Sequence, residues 1–386
     1  MRDLWTYLKN AADAGRPIVM YGMGNGADKI LAVCEHVGIP VSDFFASDGF
    51  VRGHSFHGKV VLSYSAMREA YGANASAPPI VLIAFASSRP EVLELMARVA
   101  SECETYIPDV PVCGTELFDA AFFDLHQKEI NAARALFADE ESRRVYDGIL
   151  TYKLTGHMDV LRTTESAPEA AYSDILHAER FAITADLGAY NGDSIRDLRA
   201  YAPRLQAVVA MEPDRRNFRK LEAYATDLQE SGDMLRVLPL PVGAWSEDRT
   251  LIFHDSGNRN AGLVDPFIAG VASPLPSTAE NSYFGKRTEV PVRALDSVIR
   301  ELFAADTSLD FIKYDVEGAE RSALLGSRAI IERDSPALLV SVYHRSEDLF
   351  ELPRLVHELN PAYRLYLRRM RGVPAWDINL YAIAGP

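Results

Sequence analysis

The chain has little cysteine, no stretch of eighteen apolar residues and a deficit of positive charge. Each shortage removes a class of protein. Without a long apolar stretch no membrane-spanning helix is expected, and the opening MRDLWTYLKNAADAGRP lacks the apolar segment of a signal peptide. Three cysteines in 386 residues, Cys34, Cys103 and Cys113, form neither a CxxC pair nor a metal-type spacing. They read as reduced core thiols, and a cytoplasmic location is expected. Lys and Arg number 40 against 54 Asp and Glu, a net charge of −14, which argues against nucleic acid or an anionic membrane as partner. Internal repeats and low-complexity tracts are also missing.

What remains is an ordinary globular composition, 48% hydrophobic and 24% charged, on a chain long enough for two or three domains. The informative stretch is FAITADLGAYNGDS, residues 181–194. Its apolar start reads as a buried strand that ends at Asp186, and Gly188 and Gly192 frame a turn before a helix. A strand that delivers a carboxylate and glycines into a helix start suits a nucleotide site. QAVVAMEPD, residues 206–214, reads as a second strand ending in Glu212, at the spacing expected of a ribose-binding acid. Asp186 and Asp193 would repel a pyrophosphate. A ligand with an amino group and a sulfonium, and no phosphate, fits better: S-adenosylmethionine.

Upstream, PIVMYGMGNGADKILAVCEHVG reads as strand, glycine turn and helix, with Gly22, Gly24 and Gly26 in the turn. A second strand ends near Asp48, and further strands alternate with helices up to about Gly114. This glycine cluster departs from the usual dinucleotide fingerprint, so a bound nucleotide and a plain structural domain both remain open. VMYGMGNGADKI, FFASD and HGKVVLS resemble the nucleotide-sugar-binding Rossmann-like domains that accompany sugar-modifying transferases. That resemblance makes Gly22, Gly24, Gly26 and Asp48 candidate substrate contacts. Residues 115–170 show helical spacing and read as linking helices.

Further along, LDFIKYDVEGAE gives a strand followed by Asp315, Glu317 and Glu320. PALLVSVYHR gives another buried strand, ending at Tyr343-His344-Arg345, where His344 is either a general base or a satisfied histidine. Trp245, after LRVLPLPVGA, is either an adenine cover or a core aromatic. Residues 249–299 read as a β-excursion interrupted by a Pro- and Ser-rich loop of the kind that forms lids. Asp315, Glu317 and His344 could hold a divalent cation, but they form no dense ligand motif, and no metal is assigned.

Six motifs in order, DLGAYNGDS, VVAMEPDRRNFRKL, VGAWSE, VPVRALDSVI, FIKYDVEGAE and YRLYLRR with NLYAI, resemble the FkbM-type methyltransferase family. The resemblance implies an α/β architecture: a seven-stranded methyltransferase domain over 171–386, preceded by linking helices over 115–170 and a smaller parallel α/β domain over 1–114. It implies S-adenosylmethionine as donor and an oxygen acceptor, here a sugar hydroxyl of a nucleotide sugar or glycan. Asp186, Gly188, Ala189, Tyr190, Gly192 and Asp193 would border the methionine end. Glu212 and Pro213 would hold the ribose side, Ala244 and Trp245 the adenine side, and Asp315 would lie beside the methyl group. Asp315 and His344 are the candidate proton acceptors. An inactive nucleotide-binding regulator and an NAD-dependent oxidoreductase are the rival readings, and a homo-oligomer is left open.

Overall fold

The computed structural model describes residues 3–51, 53–72, 78–254, 263–264 and 287–385. Its first sheet holds β1 (Ile18–Tyr21), β2 (Asp43–Ala46), β3 (Leu62–Ser63), β4 (Ile80–Ile83) and β5 (Glu104–Tyr106). They run parallel in the order β3-β2-β1-β4-β5. The two central strands, IVMY and IVLI, are buried at every position, as strands covered by helices on both faces require. Helices Asn25–Val37, Tyr64–Tyr71 and Pro90–Glu102 are among its connections.

Four helices follow: Ala120–Leu125, Gln127–Ala135, Glu140–Thr155 and Met158–Thr163. The third starts on Asp139, whose carboxylate accepts from the Ser142 N–H, and ends on left-handed Gly156. Val145, Ile149 and Tyr152 recur at helical spacing, and each is fully buried.

The second sheet comprises β6 (Ile183–Leu187), β7 (Ala207–Met211), β8 (Arg236–Leu240), β9 (Phe311–Tyr314), β10 (Ala337–Ser341), β11 (Tyr363–Arg369) and β12 (Ile378–Ala384). Their order is β8-β7-β6-β9-β10-β12-β11, with β12 antiparallel to both its neighbours and the other pairs parallel. The expected β-excursion is a small separate sheet of Gly243–Ala244, Arg249–His254, Leu263–Val264 and Arg287–Arg293. The lid-like loop expected at 270–285 lies outside the described residues.

The sheets meet at loops that follow their strands. Ser87, after β4, and Val373, after β11, exchange backbone hydrogen bonds of 2.8 and 3.0 Å. The Cys113 N–H donates to the His344 carbonyl at 2.8 Å. One hydrophobic cluster runs from Tyr21 and Phe45 of the first sheet, through Tyr146 and Tyr152 of the helices, to Val340 and Leu367 of the second.

Candidate active site

Order reverses in the second sheet between β6 and β9, and such a switch point opens a crevice at the carboxyl ends of parallel strands. A cavity of about 740 Å³ lies there. Gly188 makes its floor possible. At φ +84 a Cβ on this residue would sit 1.9 Å from the Asp315 carbonyl oxygen, so the loops after β6 and β9 touch through a glycine.

Glu212 follows β7 and is 6% exposed. Its carboxylate accepts from the Tyr190 N–H at 2.8 Å and the Asp214 N–H at 2.7 Å. Burial still pushes its carboxyl up to about 7 against those two bonds. The side chain is thus fixed by backbone donors at the rim of the cavity it lines.

β9 carries Lys313 in an otherwise apolar strand. Its Nζ stands 3.4 Å from Asp186 Oδ1 and 3.2 Å from Asp315 Oδ2. Burial disfavours the ammonium, yet the two carboxylates outweigh it and hold Lys313 charged. Burial likewise raises the Asp315 carboxyl, but Lys313 and His344 bring it below its ordinary value. Ser194 Oγ completes the shell of Asp186.

His344 is fully buried. Its Nδ1 lies 2.9 Å from Glu320 Oε1, while Nε2 faces Asp315 Oδ1 at 3.6 Å and Glu317 Oε2 at 3.5 Å. Burial alone would lower this imidazole, but Glu320, Glu317 and Asp315 raise it to about 10. While a proton occupies the ring, it takes the lone pair that a base would use, which favours Asp315 over His344 as proton acceptor. Burial also lifts Glu317, to about 7.

Of the expected donor contacts, Gly188, Tyr190, Asp193, Glu212, Pro213, Ala244 and Asp315 line the cavity. Asp186 reaches its polar wall through Lys313 and Ser194. Ala189 is fully buried beneath it, and Gly192 packs against the Tyr224 ring. The Trp245 ring sits in a cluster with Leu251, Val292 and Ala319, so it is a core aromatic. In the first sheet, a Cβ on Gly22 would strike the Phe85 ring and one on Gly26 the Ala84 carbonyl, both at 2.6 Å, whereas Gly24 faces open space. Asp48 is turned to the start of helix Tyr64–Tyr71, accepting from the Ser65 N–H and hydroxyl at 2.9 and 2.8 Å.

Sequence reasoning passed over Lys313, Arg196, Asp377, Asn379 and Tyr381, which also line the cavity. Lys313 was findable: residues two apart on a strand share a face, so it projects with Asp315. Tyr172 also lines the cavity and stacks on Tyr201 with centroids 4.9 Å apart.

Comparison with known proteins agrees with this geometry. Residues 186–371 match the model of the methyltransferase FkbM domain. No curated protein matches the sequence. Among solved structures, a methyltransferase FkbM from Methylobacillus flagellatus superposes with a TM-score of 0.69 at 20% identity, covering 97% of this chain and 92% of that one. An rRNA methylase from Streptococcus thermophilus matches at 11% identity and TM-score 0.34, covering 57% of this chain and 98% of that one. Aeropyrum pernix fibrillarin, solved with S-adenosyl-L-methionine natively bound, matches at 12% identity and TM-score 0.28, covering 53% and 66%. Residues 186–371 of this chain thus belong to the methyltransferase FkbM family.

Proposed function

We propose that the chain transfers the methyl group of S-adenosylmethionine to an oxygen, a sugar hydroxyl of a nucleotide-linked or glycan acceptor. Glu212 carries the reading: an acid at the end of the second strand, held by two backbone N–H groups and lining the crevice, is placed to accept two ribose hydroxyls. Pro213 and Ala244 then border the adenine. The Gly188–Tyr190 turn and Asp193 border the methionine end, and Asp315 lies beside the methyl group.

In the reaction the sulfonium C–S bond breaks as the O–C bond forms, and S-adenosylhomocysteine leaves. The acceptor's proton passes to Asp315 or to water. Alignment in the cavity supplies most of the acceleration, because the donor is already activated. We assign acceptor recognition to the first sheet, within a unit of residues 1–114 joined by helices 115–170 to the catalytic unit 171–386. The backbone exchange between Ser87 and Val373 favours this arrangement, since it seats a loop of the first sheet on the β11–β12 connection, which also carries Met370, a residue lining the cavity.

The test is calorimetry with S-adenosylmethionine, followed by incubation with labelled donor and a panel of nucleotide sugars. Glu212→Ala is expected to weaken donor binding by roughly 2–3 kcal/mol. Unchanged affinity in a folded variant removes the donor assignment, and failure to label any sugar hydroxyl removes the acceptor class.

A further inference from the structure

We propose that Asp315 Oδ1, Glu317 Oε2 and His344 Nε2 coordinate a divalent cation at the inner end of the cavity. The spacing carries the argument. Nε2 lies 3.6 Å from the Asp315 oxygen and 3.5 Å from the Glu317 oxygen, beyond the range of a hydrogen bond. Ions of the first transition row hold nitrogen and oxygen at about 2.0–2.2 Å, and two such ligands stand about 3–3.6 Å apart around the ion. Both separations from Nε2 match that ligand-to-ligand spacing.

A second observation is independent of the acidic residues. His344 is wholly buried, and its Nε2 makes no hydrogen bond among the described residues. Its other nitrogen is taken by Glu320 Oε1, which also accepts from the Val316 N–H at 2.9 Å. A carboxylate behind a histidine fixes the ring and aims the far nitrogen, the usual support of a metal-bound imidazole. Donor atoms of Asp315, Glu320 and His344 all lie within 4.8 Å of one another, with Glu320 as the supporting carboxylate on Nδ1 and Glu317 approaching Nε2 separately.

The ion has a way in. The side chains of Asp315 and Glu317 are 31% and 33% exposed, and both residues line the cavity. Lys313 stands at the opposite oxygen, Oδ2, and the Tyr343 hydroxyl near Oδ1 is 3.5 Å away, a contact too long to hold that oxygen against an ion. Two carboxylates and one imidazole suit Mn²⁺ or Zn²⁺. Three protein ligands leave coordination positions toward the cavity for water or the acceptor hydroxyl. That last role rests on the transferase reading; binding of the ion does not.

A proton on Nε2, shared with the two carboxylates, is the competing occupant. The full chain is stripped with chelator and titrated with Mn²⁺, free ion being read by its electron paramagnetic resonance signal, with Zn²⁺ as competitor. One Mn²⁺ per chain is expected, displaced by Zn²⁺. Glu317→Gln and Asp315→Asn should each weaken it by about tenfold or more, whereas Glu332→Gln on a distant helix leaves it unchanged. Melting curves of the stripped variants confirm folding, and Glu317→Gln alone decides if Asp315→Asn does not fold. No uptake at about 1 mM, well above the affinity of an occupied site, or uptake that survives Glu317→Gln, overturns the proposal in favour of the proton. Donor affinity of the stripped protein is measured alongside, so a failed cation site is told apart from a failed donor site.

Discussion

Lys313 sets the charge balance at the residue scale. Its ammonium separates Asp186 from Asp315, and Asp186 is 5% exposed. Lys313→Met keeps the length of the chain and removes the charge, leaving two carboxylates face to face. A loss of about 3 kcal/mol in urea unfolding is expected; a change within experimental error shows that solvent already screens the pair. Glu212 predicts a pH dependence. Its folded carboxyl lies near 7 against an ordinary 4.5, so the folded chain holds the proton more tightly than the unfolded one. This contribution to stability is therefore full below about pH 4.5 and is lost as pH rises through about 7. The stability difference between wild type and Glu212→Gln, followed from pH 4.5 to 7.5 without ligand, should fall by on the order of 3 kcal/mol. A flat difference places the carboxyl in solvent.

At the scale of elements, the site is a contact between two loops. A methyl group at Gly188 meets the Asp315 carbonyl and also requires a left-handed alanine. Gly188→Ala should cost roughly 2–4 kcal/mol and abolish donor binding, as read by melting and calorimetry; a variant that binds normally shows that the loops can part without consequence. The same scale explains what was legible in the sequence. Asp186 at the end of a strand, with Glu212 and Asp315 just past theirs, could be read directly because a short buried strand and the acid that closes it are neighbours in the chain. Asp377, Asn379 and Tyr381 could not, because they reach the cavity only when β12 inserts between β10 and β11. Trp245 was ambiguous for a related reason: its turn borders the cavity through Ala244 while its ring faces the other way. The surroundings of His344 were only partly within reach, since three carboxylates converge on it from the preceding strand end and helix start.

At the scale of the whole molecule, the two sheets share one hydrophobic cluster through the linking helices. Staples reinforce the joint. Arg369 is fully buried and donates to the Thr164 hydroxyl and to the carbonyls of Leu161, Met370 and Gly372. Arg368 pairs with Asp139 at 2.6 Å and with the Ser142 hydroxyl at 2.8 Å. A core continuous across such joints should unfold as one cooperative unit despite its two sheets. Calorimetry is expected to show a single transition whose van't Hoff and calorimetric enthalpies agree. Two resolved peaks would mean that the shared cluster contributes little to holding the sheets together.

The Arg368–Asp139 pair spans 229 residues of chain. During synthesis at about 5–20 residues per second, helix Glu140–Thr155 leaves the ribosome about 10–50 s before the strand that covers it. Through that interval Val145, Ile149 and Tyr152, all fully buried in the finished protein, have no strand β11 to pack against. The newborn chain therefore carries an uncovered apolar helix face for most of its own manufacture, and its yield in the cell depends on what shields that face until the last hairpin arrives.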